Sequence, residues 1–173
     1  MTKWRAAAAW RRPISSGSVA DAYIDALRLL AGRELSVAQC RARLLDRDHG
    51  PEDVEAAVER LIEEGALNDE RVARAHARTA IEVKGRGRLR IARELHEKGI
   101  SRDVISGVLA DVFGELDERS LVTRALQKKL RGRPKPASQS ELARLYQYLL
   151  RQGFSPAVVA DALRRLRGRG GDE

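Results

Sequence analysis

Thiol chemistry is almost absent from this chain. Its one cysteine, Cys40, allows no internal disulfide and no multi-cysteine zinc or iron–sulfur site, and it fits a reducing compartment. Aromatics are scarce too: 2 Phe, 3 Tyr and 2 Trp in 173 residues mean that a core must be built from Leu, Val, Ile and Ala. Few rings are then left to stack nucleobases, which disfavours a dedicated single-strand binder. No apolar run approaches the roughly 18 residues of a membrane-spanning helix, so no membrane partner is expected. Arg11 and Arg12 interrupt the Ala6 to Ala9 run, so no secretion signal is expected and the chain reads as cytoplasmic. Period-two alternation over strand length is also missing.

Groups that carry catalysis are equally thin. His49, His76 and His96 fall singly on different predicted elements, none at ligand spacing with another His or Cys. Gly85-Arg86-Gly87 lacks both the Gly-Lys-Ser/Thr ending and the preceding strand of a phosphate loop, and reads as a turn between helices. Cys40 shares an apolar helix face with Val37 and Leu44, where a small buried hydrophobe is expected. Glu63, Glu64, Asp69 and Glu70 sit where helix surfaces and first turns favour carboxylates. No enzyme activity, metal site or cofactor is expected.

Positive charge and helical periodicity are what the chain has in abundance. Lys and Arg number 33 against 25 Asp and Glu, a net charge of +8 that calls for acidic or polyanionic partners. Arg outnumbers Lys 27 to 6, a bias toward planar donors that fork onto phosphate or carboxylate. From Asp21 onward apolar residues recur at helical spacing in nine sets, beginning with Ala22, Tyr23, Ala26, Leu27 and Leu30 and ending with Val158, Val159, Ala162, Leu163 and Leu166. Ser36 with Gln39 and Ser138 with Glu141 have capping-box spacing, Ser101 and Ser155 can cap, and Pro51 and Pro156 suit first helical positions.

Three junctions, Asp48-His49-Gly50-Pro51, Gly99-Ile100-Ser101-Arg102 and Gly153-Phe154-Ser155-Pro156, divide the chain alike. Aligning them superimposes Leu44, Leu95 and Leu149, then Val54, Ile105 and Val159, then Val58, Leu109 and Leu163, at offsets of 51 and 54 residues. The fold expected is therefore all-α, an elongated, curved array of three tandem three-helix repeats whose neighbours complete each other's core. The expected divisions are a flexible basic tail at 1–18, repeats at 19–67, 68–116 and 117–168, and a tail at 169–173.

Two basic constellations stand out. Lys84, Arg86, Arg88, Arg90 and Arg93 lie within ten residues that contain no acid, with Lys98 just beyond. On a helix, Arg86, Arg90 and Arg93 project to adjoining faces, are expected to be exposed, and are suited to grip phosphates or a partner's carboxylates. Arg124, Lys128, Lys129, Arg131, Arg133 and Lys135 form the second, and Arg131-Gly132-Arg133-Pro134 is similar to an AT-hook that enters a narrow minor groove. Direct binding to duplex DNA through these patches is one reading, and a basic helix end followed by a Pro-terminated loop is the other.

Gly-Ala-Leu-Asn-Asp-Glu-Arg-Val-Ala at 65–73, followed by Lys-Gly-Arg-Gly-Arg-Leu-Arg-Ile-Ala-Arg-Glu-Leu-His-Glu-Lys-Gly-Ile at 84–100, resembles the central signature of the RecX family. The segment Ala22 to Leu44 resembles that family's first repeat, and with the third repeat the likeness extends over about residues 20–167. Asn68 stands where a second acid is usual, Val72 where Phe is common, and Arg88 where Pro often follows the glycine. The resemblance implies a regulator, not an enzyme. Such a protein binds along the groove of the RecA filament, which is RecA with single-stranded DNA, and represses its recombinase, ATPase and coprotease activities. It would act in homologous recombination, DNA repair and the SOS response, as a monomer with at most weak non-specific DNA binding of its own. A long, basic, pocketless helical body suits a filament groove. The candidate contacts are Lys84, Arg86, Arg88, Arg90, Arg93 and Lys98, with Lys128, Lys129, Arg131, Arg133 and Lys135 as a secondary patch.

Overall fold

The computed structural model describes residues 18–114, 116–132, 136 and 138–168. The expected tails therefore lie outside the described residues, except Ser18. Nine helices and no strand are found among the described residues: α1 (Val19–Gly32), α2 (Val37–Leu45), α3 (Pro51–Glu63), α4 (Asp69–Glu82), α5 (Arg88–Glu97), α6 (Arg102–Gly114), α7 (Glu118–Leu130), α8 (Gln139–Gln152) and α9 (Pro156–Gly168). They form an all-α array of three tandem three-helix repeats, and the described chain divides into two compact units at Leu67 and Asn68. The first unit holds α1–α3. The second holds α4–α9, two repeats on one core.

Helix starts follow local chemistry. Ser36 and Ser138 form the expected capping boxes with Gln39 and Glu141. Ser18, the last residue of the expected tail, forms a third with Asp21 as the N-cap of α1. Asn68 accepts from the Arg71 amide at 2.8 Å, and Asp117 accepts from the amides of Arg119 and Ser120. The hydroxyl of Ser155 donates to Glu118 at 3.2 Å, joining the starts of α7 and α9.

All nine residues superimposed by the repeat alignment are buried. Leu27 of the first apolar set and Ile62, which with Val54, Ala57, Val58 and Leu61 makes up the third, are expected in the core by spacing and are instead 41% and 45% exposed. Each follows a fully buried residue, Ala26 or Leu61, and one helical step of about 100° turns it off the face that α1 or α3 packs on its two neighbours. Conversely, Leu35, Leu67, Ile100 and Phe154 lie between helices and are buried.

The buried position of Ile100 and Phe154 follows from how second helices end. At Gly99 the amides of Gly99 and Ile100 donate to His96 and Leu95 carbonyls, and at Gly153 those of Gly153 and Phe154 donate to Leu150 and Leu149. Both glycines have positive φ, and each bond pattern is a Schellman motif that turns the next residue onto the core. Repeat one makes the same turn with Asp48 (φ 64°): Asp48 donates to Leu45 and His49 to Leu44. His49 thus occupies the place of Ile100 and Phe154, and its Nε2 lies 3.1 Å from Asp25. The hydrogen bonds from His49 and then Arg28 hold the Asp25 carboxyl below the usual carboxylate range.

Repeats two and three meet backbone to backbone. The Gly87 amide donates to the Gln152 carbonyl at 2.8 Å, and the Leu89 amide to the Gly153 carbonyl at 3.0 Å. A Cβ on Gly87 would lie 2.5 Å from the Gly153 carbonyl carbon and oxygen, and one on Gly153 would overlap the Arg90 backbone.

Two stability outcomes follow, both read by chemical denaturation. Gly87→Ala should destabilise by about 1–3 kcal/mol, the usual cost of overpacking, whereas Gly32→Ala, whose Cβ meets open space, should cost nothing measurable. Asp48→Gly should stabilise by roughly 0.5–1 kcal/mol, since left-handed strain of about 1–2 kcal/mol is relieved against about 0.4–1 kcal/mol of added unfolded-chain entropy. Equal stability of Gly87→Ala and the parent would refute the joint.

Candidate interaction surface

The loop after α4 and the helix α5 carry the basic run of repeat two, and the structure divides it between two faces. Arg86 and Arg90 turn toward Glu94 and α8. Both pair with Glu94, Arg90 through Nε at 3.0 Å, while His76 of α4 approaches the other Glu94 oxygen at 2.9 Å. Arg90 also donates from Nη1 to the Arg151 carbonyl at 3.1 Å, reaching the end of α8. The two side chains keep only 19% and 30% of their exposure. The expectation that Arg86, Arg90 and Arg93 are all exposed therefore holds for Arg93 alone. Glu94 lies just past the acid-free stretch and four residues after Arg90, which is one turn along the same face.

Burial pushes the Glu94 carboxyl up, and the hydrogen bonds from His76, Arg90 and Arg86 together outweigh it, leaving the group below its ordinary value. One carboxylate thus holds three nitrogen bases at the place where repeat two meets repeat three.

Arg88 and Arg93 face away from this cluster. Both are exposed, and neither forms an ion pair among the described residues. With Leu89, Ala92 and His96 of α5 and Arg102, Ile105, Ser106 and Leu109 of α6 they line an open groove of about 450 Å³. Leu89 is 61% exposed. Sequence reading missed Leu89 and Arg102. Leu89 lies two residues before Ile91, off the apolar stripe, and an apolar residue off the stripe was the available signal. Lys84 is exposed in the loop before α5, and Lys98 is half-buried at its C-cap.

The second patch is partly engaged. Lys128 donates to the Val83 carbonyl at 2.8 Å, tying α7 to the loop after α4, and the Lys129 ammonium lies 4.8 Å from the centre of the Tyr148 ring. Arg131 is exposed at the C-cap of α7. Arg133 and Lys135 lie outside the described residues, so the AT-hook-like segment is described only at Arg131 and Gly132. Arg86, Arg124 and Lys128 also line a crevice of about 30 Å³ above Phe154, room for about one water.

Cys40 is buried, and burial raises its thiol above the ordinary value. No group of three His, Cys, Asp or Glu among the described residues is placed to hold a metal ion. No helix among them is long and apolar enough to cross a membrane.

Glu94→Gln should lower stability at neutral pH by about 1–3 kcal/mol, since mostly buried cations lose their counter-charge. The sign with pH is fixed by the depressed carboxyl. Its stabilising contribution is complete above the unfolded-chain value for Glu, about 4.3, and is lost as pH falls through the lower folded value. Denaturation at neutral and acid pH should therefore show parent and variant converging as pH falls, and a gap unchanged with pH would contradict this role.

Known proteins show the same three-part plan. The first three-helix domain of RecX matches residues 22–61, the second residues 68–109 and the third residues 117–163. The regulatory protein RecX of Halorhodospira halophila is 38% identical over 148 residues, covering 85% of this chain and 89% of its own. That of Trichlorobacter lovleyi is 32% identical over 148 residues, covering 83% and 94%. The crystal structure of RecX from Lactobacillus salivarius superimposes with a TM-score of 0.74 at 18% identity, over 86% of this chain and 96% of that one, a likeness of fold. With all three domains matched in order and full-length relatives above 30% identity, this chain belongs to the RecX family of regulatory proteins.

Proposed function

We propose that this protein is an inhibitor of the RecA recombinase, binding along the groove of the RecA filament and repressing its recombinase, ATPase and coprotease activities. Membership of a regulatory family over all three repeats is the observation that carries this reading. The protein acts as a monomer in the cytoplasm, without catalysis or cofactor. Its contact includes the exposed face of α5, where Arg88 and Arg93 project without acidic partners. Arginine forks there suit carboxylates of a recombinase surface or phosphates of bound DNA, and the net charge of +8 speeds encounter with either. Lys84 in the loop before α5 and Lys98 at its C-cap add positive charge, while Arg86 and Arg90 are engaged by Glu94.

RecA ATPase and strand exchange, measured with substoichiometric protein, test the reading. Repression at few molecules per filament indicates action at growing ends, and a need for near-saturating amounts indicates occupation of the groove. Arg88→Glu with Arg93→Glu should fold normally, because both side chains are exposed, and should relieve repression. Each exposed contact is worth only about 1 kcal/mol, so charge reversal reports more than truncation. A folded double variant that represses RecA as the parent does would remove α5 from the contact. No repression by the parent, combined with tight binding to naked A·T-rich duplex that Arg131→Ala weakens, would replace this function with direct DNA binding.

A further inference from the structure

The groove between α5 and α6 has a chemistry that neither phosphate binding nor helix solvation explains. On α5, Leu89, Ala92, Arg93 and His96 occupy positions i, i+3, i+4 and i+7; on α6, Arg102, Ile105, Ser106 and Leu109 do the same. Each helix thus presents a two-turn stripe about 10 Å long to the groove. Buried Ile105 and Leu109 form the floor, small Ala92 and Ser106 keep it open, and exposed Leu89 forms an apolar wall. Arg88, Arg93 and Arg102 stand at the rim, all exposed and none ion-paired among the described residues. No carboxylate and no Phe, Tyr or Trp lines the groove, whose one ring is the His96 imidazole.

We propose that this groove docks an acidic amphipathic helix of the protein partner, with an aliphatic side chain against Leu89 and carboxylates on Arg88, Arg93 and Arg102, an inference that rests on the partner-binding function proposed above. The apolar floor selects the class of occupant. A phosphate backbone would satisfy the rim but gain nothing from Leu89, and successive bases would find a single small ring, the His96 imidazole, where a stacking surface needs several. A second copy of this chain would bring its own +8 charge to a cationic rim, which repels it. An amphipathic helix with Leu on one face and Glu around it matches floor and rim together.

Fluorescence anisotropy with the full chain tests this. The probe is a labelled peptide of about 15 residues with Leu on one helical face and Glu elsewhere; its control has every Leu replaced by Ser, and an oligo-dT strand serves as the nucleic-acid probe. The Leu–Glu peptide should bind at least about tenfold more tightly than the Ser–Glu peptide, which is the scale of one buried aliphatic side chain. Leu89→Ser should weaken the Leu–Glu peptide by about tenfold while leaving oligo-dT binding unchanged. Arg102→Glu should weaken the peptide as well. Both residues are exposed, so parent-like helicity and melting of the variants are expected. Equal affinity for the two peptides, or undiminished peptide binding by Leu89→Ser, overturns the proposal. So does a loss of oligo-dT binding in Leu89→Ser as large as the loss of peptide binding, which would make the groove a nucleic-acid site. The RecA assays are read separately. Failure to repress RecA with the peptide results intact rejects the function and keeps the groove, whereas repression with the peptide results reversed does the opposite.

Discussion

The second unit depends on a contact between two stretches of backbone that have no side chains at the point of approach. At Gly87 and Gly153 the end of α8 comes close enough to the start of α5 for two main-chain hydrogen bonds, and any Cβ on either residue would push them apart. The second helices of repeats one and three start with serine capping boxes, at Ser36 and Ser138, whereas α5 starts at Gly87 without a side-chain cap. Its first-turn amide at Leu89 is satisfied by the Gly153 carbonyl of the next repeat. A cap that repeats one and three make locally is thus supplied in repeat two by its neighbour. The exchange sets a helix C-terminus against a helix N-terminus, where their partial charges attract.

This joint decides which arginines of the basic run are available. Once α8 ends against α5, the Arg151 carbonyl lies within reach of Arg90, and Glu94, one turn further along, draws in Arg90, Arg86 and His76. Two of the cations are thereby committed to Glu94, and Arg90 also bonds across to repeat three. Arg88 and Arg93, rotated away on the same helix, face solvent. A count of charges over residues 84–93 cannot make that division, because it depends on an acid just outside the stretch and on a carbonyl sixty-one residues downstream of Arg90.

The all-α class and the threefold repeat were legible in the sequence because apolar periodicity and turn punctuation are local signals. Leu44, Leu95 and Leu149 could be aligned from spacing alone, and all three are fully buried. Leu27 and Ile62 were misplaced because periodicity marks an apolar stripe without fixing its width, and a helix with two neighbours buries a narrower stripe than one that is surrounded. Ile100 and Phe154 were visible only as parts of a junction. Their burial follows from the left-handed glycine before each, which turns the chain back onto the core. Of the candidate contacts, the exposure of Arg93 was readable, while the engagement of Arg86, Arg90 and Lys128 depends on tertiary partners.

His49 shows how a repeat can carry a polar residue where its siblings carry apolar ones. The left-handed turn at Asp48 aims it inward as Gly99 aims Ile100 and Gly153 aims Phe154, so the backbone of repeat one offers the position to a core side chain. An imidazole there needs a partner for its inner nitrogen, and Asp25 of α1 supplies it, with Arg28 and Arg47 close to the same carboxylate. The first unit therefore fastens its first helix to the end of its second by a charge-assisted bond, where the second unit uses aliphatic and aromatic contact. A bond of that kind depends on direction as well as on area, so it fixes the angle of α1 more narrowly than an apolar contact at the same position can.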